Sequence, residues 1–405
     1  MKRIALVTLL VAVIVPMFAS SGSALAGAAA TPNRINPISL SFSSPQSGYL
    51  LSLYDCATHT CANLRRTSDA GSTWSDVQIP SQLNKHMKLD SWHAYGASYS
   101  TLTVHFADAR DGWIYGTVPV PNPADPSYPN DVSRLWSTHD SGKTWRQIRL
   151  DPLNLTGGVV AMATHGPRTY IFGGTNTSAR SFILATKSSA DSWRNESKGQ
   201  MGMPAGGTQL EGSFSLVGSS GWFVAGNDRG FTASARLSKD GSWIKWSGPS
   251  VDDASFTPIA AVSKEELVVE GQSAGFVIPP ASTVPRGWNN GASWLFISHD
   301  AGATFEPLRQ LSRSYHGSYS TVPGLPATPA PGTVLLERTV GTGYELVRST
   351  NWGRNWQTVL KRSVSQVVFT SRSVGFAVAL RPSHPTTTTL LRTIDSGIHW
   401  RDVKI

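Results

Sequence analysis

Side chains that suit ligand binding are concentrated in four loop-like segments of this 405-residue chain, residues 89–98, 119–131, 278–290 and 312–320. Gly, Pro and Ser, which favour loops, recur in these segments. An exposed ring beside a histidine or an arginine suits a sugar, a peptide or an anion. We therefore predict ligand-binding residues here; the alternative is that the same rings pack over edges of the fold. The predicted residues are Trp92, His93, Tyr128, Arg286, Trp288, Arg313, Tyr315 and His316, with Tyr95 and Tyr319 beside them.

Carboxylates and histidines do not form a recognisable catalytic set. Glycoside hydrolysis needs two carboxyl groups about 5–10 Å apart. No spacing singles out such a pair among Glu211, Glu265, Glu266, Glu270 and Glu337. Residues 271–275 match the G-x-S-x-G pattern of a nucleophilic serine, but that turn must lead into a helix, and a strand-like run with two prolines follows. The ten histidines show no metal-ligand spacing, so the sequence predicts no metal and no cofactor.

The two cysteines, Cys56 and Cys61, lie across one short loop. An exported chain meets oxidising conditions, so we expect a local disulfide between them. Closing so short a loop should stabilise the fold by only about 2 kcal/mol. The alternative is half of a metal site, for which the sequence shows no partner pair of Cys or His.

The element that must position these side chains is an eight-residue motif, Ser/Thr-x-Asp-x-Gly-x-Thr-Trp/Phe. We read each copy as a tight turn between two strands. The Asp or Asn side chain folds back onto backbone N–H groups, the Gly adopts angles that a Cβ resists, and the aromatic residue starts the next strand and packs inward. The copies span residues 67–74, 138–145, 186–193, 238–243, 298–305, 349–356 and 393–400. Their third position is Asp69, Asp140, Asp240, Asp300, Asn351 and Asp395, with Ser188 in the copy at 186–193.

The spacing of the motif predicts the architecture. Consecutive copies are 71, 48, 52, 60, 51 and 44 residues apart, and a period near 50 with strand signals is typical of propeller blades. A second motif, Phe followed by Gly-aromatic, opens the second strand at Gly48, Gly112, Gly221 and Gly375. We therefore predict an all-β fold, a single seven-bladed β-propeller of four-stranded antiparallel blades over residues 37–405. Predicted strands in blade 1 are 38–42, 48–54, 62–68 and 73–79; in blade 2, 102–107, 112–118, 133–138 and 144–150; in blade 7, 365–370, 375–380, 387–393 and 399–405.

With both motifs in a fixed order, the chain resembles the Asp-box (BNR) repeat propellers. These include sialidases, sortilin-type receptors, some glucan-cleaving glycosidases and the photosystem II assembly-factor propellers, and the chain looks most like the last of these. The resemblance implies the fold but not the activity, because one fold hosts unrelated functions. Sialidases of this kind usually carry Arg-Ile-Pro ahead of the first box. Here Arg34-Ile35 is followed by Asn36 before Pro37, which departs from that pattern.

The N-terminus predicts export. Lys2 and Arg3 precede an apolar run and then small residues ending at Ala26, the pattern of a secretory signal peptide over residues 1–26. Residues 27–36 are interpreted as a flexible leader, and the protein as secreted or extracytoplasmic. No other segment is apolar enough to span a bilayer. Loss of Lys2 and Arg3 lowers the formal charge from +9 to +7, a mildly basic surface without the motifs of nucleic-acid binding.

Propeller topology predicts where a ligand binds. The first-to-second and third-to-fourth strand turns share one face, and here they are short. The second-to-third loops and the links between blades share the other face; they are long and differ from one another, as binding loops do. We therefore predict an exported, monomeric, non-enzymatic binding or assembly module that recognises a protein or glycan there. The alternatives are a sialidase-like or other glycoside hydrolase, and an envelope protein with no ligand.

Overall fold

Seven antiparallel sheets form a β-propeller ring, which confirms the predicted fold class. The computed structural model describes residues 35–56, 59–85, 102–120, 130–175, 180–197, 201–202, 210–227, 232–248, 254–273, 293–310, 325–340, 343–381 and 384–405. Each sheet is one blade, and its strands follow one another in the chain from the inner to the outer edge.

The strands are as follows. Blade 1 contains β1 (Ile35–Phe42), β2 (Gly48–Cys56), β3 (His59–Thr67) and β4 (Ser75–Val77); blade 2 contains β5 (Thr103–Phe106), β6 (Gly112–Val120), β7 (Asn130–Thr138) and β8 (Arg146–Gln147). Blade 3 contains β9 (Val159–His165), β10 (Arg168–Gly174), β11 (Arg180–Lys187), β12 (Arg194–Asn195) and the extra β13 (Met201–Gly202); blade 4 contains β14 (Leu210–Val217), β15 (Ser220–Asn227), β16 (Thr232–Leu237) and β17 (Trp243–Lys245). Blade 5 contains β18 (Ala254–Ala261), β19 (Leu267–Ser273), β20 (Ser293–Ser298) and β21 (Glu306–Gln310); blade 6 contains β22 (Val334–Val340), β23 (Gly343–Ser349) and β24 (Gln357–Leu360); blade 7 contains β25 (Val364–Phe369), β26 (Gly375–Arg381), β27 (His384–Thr393) and β28 (Arg401–Asp402).

Helix is scarce in the part of the chain that the structure describes. A five-residue helix, α1 (Ser81–Lys85), follows blade 1, and a short 3₁₀ turn (Asp151–Leu153) lies between blades 2 and 3. A search of these same residues finds no helix long and apolar enough to cross a membrane.

The core lies between the blades. In β2, Tyr49 and Leu51 pack towards blade 2, whereas Leu50 packs towards Phe376 of blade 7, and all four side chains are buried. A strand buried on both faces needs apolar residues in succession rather than in alternation, which explains why the second strands read as continuous apolar runs.

The predicted strands of blades 1, 2 and 7 correspond closely to the observed ones, but the outer strands are shorter. The prediction began the fourth strand of blade 1 at residue 73, whereas β4 begins at Ser75, because the Thr73 N–H is bonded to the Asp69 side chain within the turn. At the N-terminal side, β1 begins at Ile35, so Ile35 and Asn36 pair with Tyr54 and Leu53 instead of belonging to the leader. The predicted signal peptide lies outside the described residues.

The ring closes between blades 7 and 1 through side chains. The four described strands of blade 7 all come from one continuous stretch of chain, 364–402, and β1 packs beside β25 and β27. The Leu40 N–H donates to Gln366 Oε1 (2.6 Å), and Gln366 Nε2 donates to the Leu40 carbonyl (2.9 Å). The Thr388 hydroxyl donates to the Pro37 carbonyl. Within the described residues, this closure uses no exchanged strand.

Candidate functional site

The antiparallel order of the strands gives the propeller two different faces. The turns from first to second and from third to fourth strand lie together on what we call the short-turn face. The strand ends that lead into the second-to-third loops and into the links between blades lie on the opposite side, which we call the long-loop face. By position in the chain, all of the predicted ligand-binding residues fall in these connecting segments.

The short-turn face is built from the repeated eight-residue turns. In blade 1, Thr67 Oγ1 accepts a hydrogen bond from the Gly71 N–H (2.8 Å) and donates to Asp69 Oδ1 (2.8 Å). Asp69 also accepts the N–H (2.9 Å) and the hydroxyl (2.7 Å) of Thr73. The backbone part of this arrangement recurs in the turns centred on Asp140, Asp300, Asn351 and Asp395.

The carboxylates of these turns accept several hydrogen bonds from hydroxyl and N–H groups within the turn. The Thr73, Thr144 and Thr304 hydroxyls, followed by the N–H groups of the same residues, lower the pKa of Asp69, Asp140 and Asp300 to about 2. A carboxylate so engaged is a poor general acid or base at neutral pH. These residues therefore have a structural role in the turn.

Each such turn is also tied to its own blade and to the preceding one. Ala70 and Gly71 both have positive φ (57° and 76°), and the Ala70 N–H donates to the carbonyl of Gln46 in the other short turn (3.0 Å). A Cβ on Gly71 would lie 2.7 Å from the Phe376 ring of blade 7. Gly302 faces the Trp246 ring of blade 4 in the same way, at 2.5 Å. The glycine is thus required by backbone angle and by contact between blades.

Two copies of the turn, in blades 3 and 4, depart from the motif and make different hydrogen bonds. In blade 3, Ser188 replaces the acid, and the Thr186 hydroxyl donates to the Ala190 carbonyl (3.1 Å). In blade 4, Asp240 accepts hydrogen bonds from the hydroxyl groups of Ser238 and Ser242. Both copies still end in a buried tryptophan.

Asp191, in the altered turn of blade 3, forms a charged cluster with residues of blade 2. His139 Nδ1 lies 2.8 Å from Asp111 Oδ1, and His139 Nε2 lies 3.4 Å from Asp191 Oδ1. The Ser137 hydroxyl donates to Asp191 Oδ2 (2.8 Å), and Arg146 lies 3.9 Å from the same oxygen. Burial raises the pKa of Asp111, against the opposing hydrogen bond from His139. The imidazole lies between the two carboxyl groups, so the cluster joins two blades.

On the long-loop face, the structure describes the strand ends that lead into the loops. Trp92, His93, Tyr128, Arg286, Trp288, Arg313, Tyr315 and His316, as well as Tyr95 and Tyr319, lie outside the described residues. They therefore remain predictions.

One strand pair that reaches this face is cross-linked. Cys56 ends β2 and is joined by a disulfide to Cys61 of β3, with 5.8 Å between the Cα atoms. The two strands extend over nine residues each, and the disulfide holds together the end that approaches the long-loop face. The half-metal-site alternative is therefore wrong for these cysteines. Elsewhere, the described residues contain no group of three or more His, Cys, Asp or Glu suited to a metal ion.

Inner strands of neighbouring blades are linked by side chains that accept backbone N–H groups. Ser39 and Ser41 of β1 accept the N–H of Val104 (3.1 Å) and Phe106 (2.8 Å) in blade 2. Gln366 of β25 accepts the N–H of Leu40 in blade 1. In blade 4, Ser215 of β14 accepts the N–H of Ala261 (2.7 Å).

Blade 6 makes this link from its second strand instead. Glu337 Oε1, on β22, accepts the N–H of Val364 (2.8 Å) and the hydroxyl of Ser363 (3.0 Å) in blade 7. Burial raises the pKa of Glu337 to about 7, against the opposing effect of these two bonds. Glu337 was among the carboxylates considered for catalysis, but no described carboxylate pairs with it.

A signal for this special position does exist in the sequence. Glu337 is the fourth residue of its second strand, counted from the residue opposite the start of the repeated turn, and Glu270 occupies the same place in blade 5. In blades 1, 2, 3 and 7 this place is taken by Leu51, Tyr115, Phe172 and Val378, all buried. A carboxyl group at a place that the repeat makes apolar marks a special contact, and sequence reasoning missed it.

Comparison with known proteins supports the fold and leaves the activity open. No family model and no curated protein matches the chain. Among solved structures, the chain is similar to YCF48 bound to a D1 peptide, with 20% identity, a TM-score of 0.53 and coverage of 90% of this chain and 94% of that one. It is similar to a puromycin hydrolase (13% identity, TM-score 0.56), covering 92% of this chain but 54% of that one. A PL25 ulvan lyase also matches, with 10% identity, a TM-score of 0.51 and coverage of 91% and 96%.

Proposed function

We propose that this protein is an exported binding or assembly module that recognises a segment of another protein on the long-loop face. The observation that carries the proposal is the structural difference between the two faces. The short-turn face is occupied by repeated turns whose carboxylates are satisfied internally, such as Asp69 and Asp300. Recognition then falls to the long-loop face, where the loops differ from blade to blade.

Three further points support a binding role. The disulfide between Cys56 and Cys61 suits an oxidising compartment, in agreement with the predicted signal peptide. The Asp111–His139–Asp191 cluster joins blades 2 and 3 through contacts between its own side chains. YCF48, a propeller of similar extent, is seen with a D1 peptide. A glycan remains the alternative ligand, and a glycoside hydrolase the alternative activity.

The test is selection of ligands followed by substitution. Peptides selected from a random library on the immobilised mature chain should bind in solution with a measurable Kd. Trp288→Ala and Tyr315→Ala should each weaken binding about tenfold, the effect of losing one aromatic contact worth on the order of 1.4 kcal/mol. Ile398→Ala, an exposed position on the short-turn face, is the control and should leave the Kd unchanged.

The rival activity is tested separately. Clear turnover of chromogenic glycosides or sialosides by the same preparation, with no peptide binding, would replace the proposal with an enzyme. Equal binding by Trp288→Ala, Tyr315→Ala and the parent chain would remove these two residues from the site.

A further inference from the structure

Histidine stands at the second position of the repeated turn in two of its seven copies, as His139 in blade 2 and His299 in blade 5. In the same two blades, and in none of the other five, an acid directly precedes the second strand: Asp111 before β6 and Glu266 before β19. Antiparallel pairing of the second and third strands places each acid across from the histidine of its blade. The joint occurrence within one repeat indicates that acid and histidine act together.

In blade 2 the histidine joins its own blade to blade 3. His139 Nδ1 lies 2.8 Å from Asp111 Oδ1, and Nε2 lies 3.4 Å from Asp191 Oδ1 in the turn of blade 3. Nε2 and Asp191 Oδ1 are both buried, and neither has a hydrogen-bond partner in the part of the chain that the structure describes. A neutral imidazole carries one ring proton and can donate to one of these carboxyl groups, whereas a protonated imidazole can donate to both. Both contacts of His139 are therefore satisfied only when its ring is protonated.

The charged groups next to His139 favour a positive ring. In the described chain, four carboxyl groups and two guanidinium groups neighbour it, on the two turns of blade 2, on β8 and on the turn of blade 3. One guanidinium donates to the His139 carbonyl (3.3 Å), and the other lies 3.9 Å from Asp191 Oδ2. The carboxyl groups therefore outnumber the cations at this seam. In chain order, these groups belong to Asp108, Arg110, Asp111, Asp140, Arg146 and Asp191.

In blade 5 the second histidine makes the corresponding contacts with blade 6. His299 Nδ1 lies 3.6 Å from Glu266 Oε1, and its ring stands perpendicular to that of Trp352 in the turn of blade 6, with centroids 5.4 Å apart. At this distance a protonated imidazole is attracted to the electron-rich indole ring. Trp352 has a φ of 59°, unusual for a bulky residue, and the other turns with this angle have alanine or serine there. The other charged groups here are Lys264 and Glu265, which pair with each other at 3.3 Å, and Asp300.

We propose that His139 and His299 are pH-responsive joints between blades. The protonated imidazole bonds the acid of its own blade and holds the turn of the next blade; loss of the proton as the pH rises loosens the seams between blades 2 and 3 and between blades 5 and 6. Histidine ordinarily changes charge between about pH 5 and 8. Both side chains are partly exposed, at 33% and 48%, so they exchange protons with water. The two joints lie on the short-turn face and divide the ring into blades 3–5 and blades 6, 7, 1 and 2, which acid holds together more tightly.

A double-mutant cycle at two pH values tests the joint between blades 2 and 3. His139→Gln removes the titrating ring, Asp191→Asn removes the carboxylate in the next blade, and the double variant gives the coupling between them in the unfolding equilibrium constant. We expect this coupling to be at least about threefold larger at pH 5.5 than at pH 8, because only the protonated ring donates to Asp191. Titration of distant groups enters all four chains equally and cancels. Equal coupling at both pH values, or none at either, would overturn the proposal.

Hydrogen exchange of the parent chain tests the joint between blades 5 and 6 without any substitution. The Ala301 N–H donates to the Glu265 carbonyl (2.8 Å) beside this joint, and the Ala70 N–H makes the same bond to Gln46 (3.0 Å) in blade 1, whose turn has no histidine. After correction for the intrinsic effect of pH on exchange, protection of the Ala301 amide should fall at least about threefold from pH 5.5 to pH 8, while that of Ala70 stays constant. No change at Ala301, or an equal change at both amides, would contradict the proposal.

Discussion

At the scale of single residues, the polar side chains of this propeller divide into those that hold turns and those that join blades. Asp69 and its counterparts accept two or more hydrogen bonds within eight residues of chain. Gln366 and Glu337 instead accept bonds from strands of the next blade. The first kind can be recognised from the sequence because donor and acceptor are close in the chain. For the second kind the repeat can mark the residue, as it does Glu337, but not the distant strand that it bonds.

Glu337 makes stability depend on pH in an unusual direction. Its pKa is raised from 4.5 to about 7 by burial, so the folded state holds its proton more tightly than the unfolded chain does. Its contribution to stability is therefore complete below about pH 4.5 and is lost as the pH rises through 7. Glu337→Gln keeps an acceptor for the Val364 N–H and does not titrate. Urea unfolding at pH 5 and pH 8 should show the parent losing on the order of 2–3 kcal/mol relative to the variant. A constant difference between parent and variant across this range would contradict the assignment.

His105 should make stability depend on pH in the opposite direction, which is why the parent chain is compared with the Glu337→Gln variant. It lies 2.8 Å from the Thr164 hydroxyl, and burial lowers its pKa to about 4. Stability from this residue is present above about pH 6.5 and falls as the pH drops through 4. The pH profile of the parent chain alone therefore sums two opposed contributions.

At the scale of elements, the repeated turn depends on its glycine for two separable reasons. Gly302 has a φ of 83°, and a Cβ there would lie 2.5 Å from the Trp246 ring. Gly218 has a φ of 57° in another short turn, and nothing lies within 4 Å of a Cβ built on it. The two positions share the backbone angle and differ in the contact.

Alanine substitutions at these positions should separate the free-energy cost of the backbone angle from that of the contact with the ring. Gly218→Ala should lower the free energy of unfolding by about 1 kcal/mol, the cost of a left-handed alanine. Gly302→Ala should cost about 2–4 kcal/mol, because the methyl group also displaces the Trp246 ring. Chemical denaturation of both variants measures the difference. Equal losses would show that the contact with blade 4 is unimportant.

The same scale shows how far the sequence predicts the structure. The strands of blade 1 could be placed within a few residues, because turns, Gly-aromatic pairs and apolar runs are local signals. The inner edge of blade 6 could not be placed, since neither motif marks the chain around Ala327, which pairs with Leu335 in the described residues. The predicted ligand-binding residues, from Trp92 to His316, could be named from composition, but their arrangement depends on loops that no repeat constrains.

At the scale of the whole molecule, closure of the ring depends on one buried amide. Gln366 is 8% exposed and bonds both the N–H and the carbonyl of Leu40. Removing it leaves two buried backbone groups without these bonds. The first and last blades would then be held mainly by apolar contacts such as Phe42 against Phe376, whose ring centroids are 4.4 Å apart.

Gln366→Ala should therefore destabilise the fold by about 2–4 kcal/mol, because each unsatisfied buried group costs about 1–3 kcal/mol. Ser41→Ala, which removes a single bond between blades 1 and 2, is the comparison and should cost less. Equilibrium urea unfolding measures both. A loss of less than about 0.5 kcal/mol for Gln366→Ala, the range of ordinary surface substitutions, would show that the amide does not close the ring.

Recognition on one face is the central claim for the whole molecule, and photo-crosslinking tests it most directly. A photoreactive benzoylphenylalanine replaces Trp288, predicted to lie on the long-loop face, in one sample and Ile398 on the short-turn face in another, and each sample is mixed with the same selected peptide. We expect a covalent adduct only from position 288, competed away by unlabelled peptide. An adduct from position 398 alone would contradict the claim.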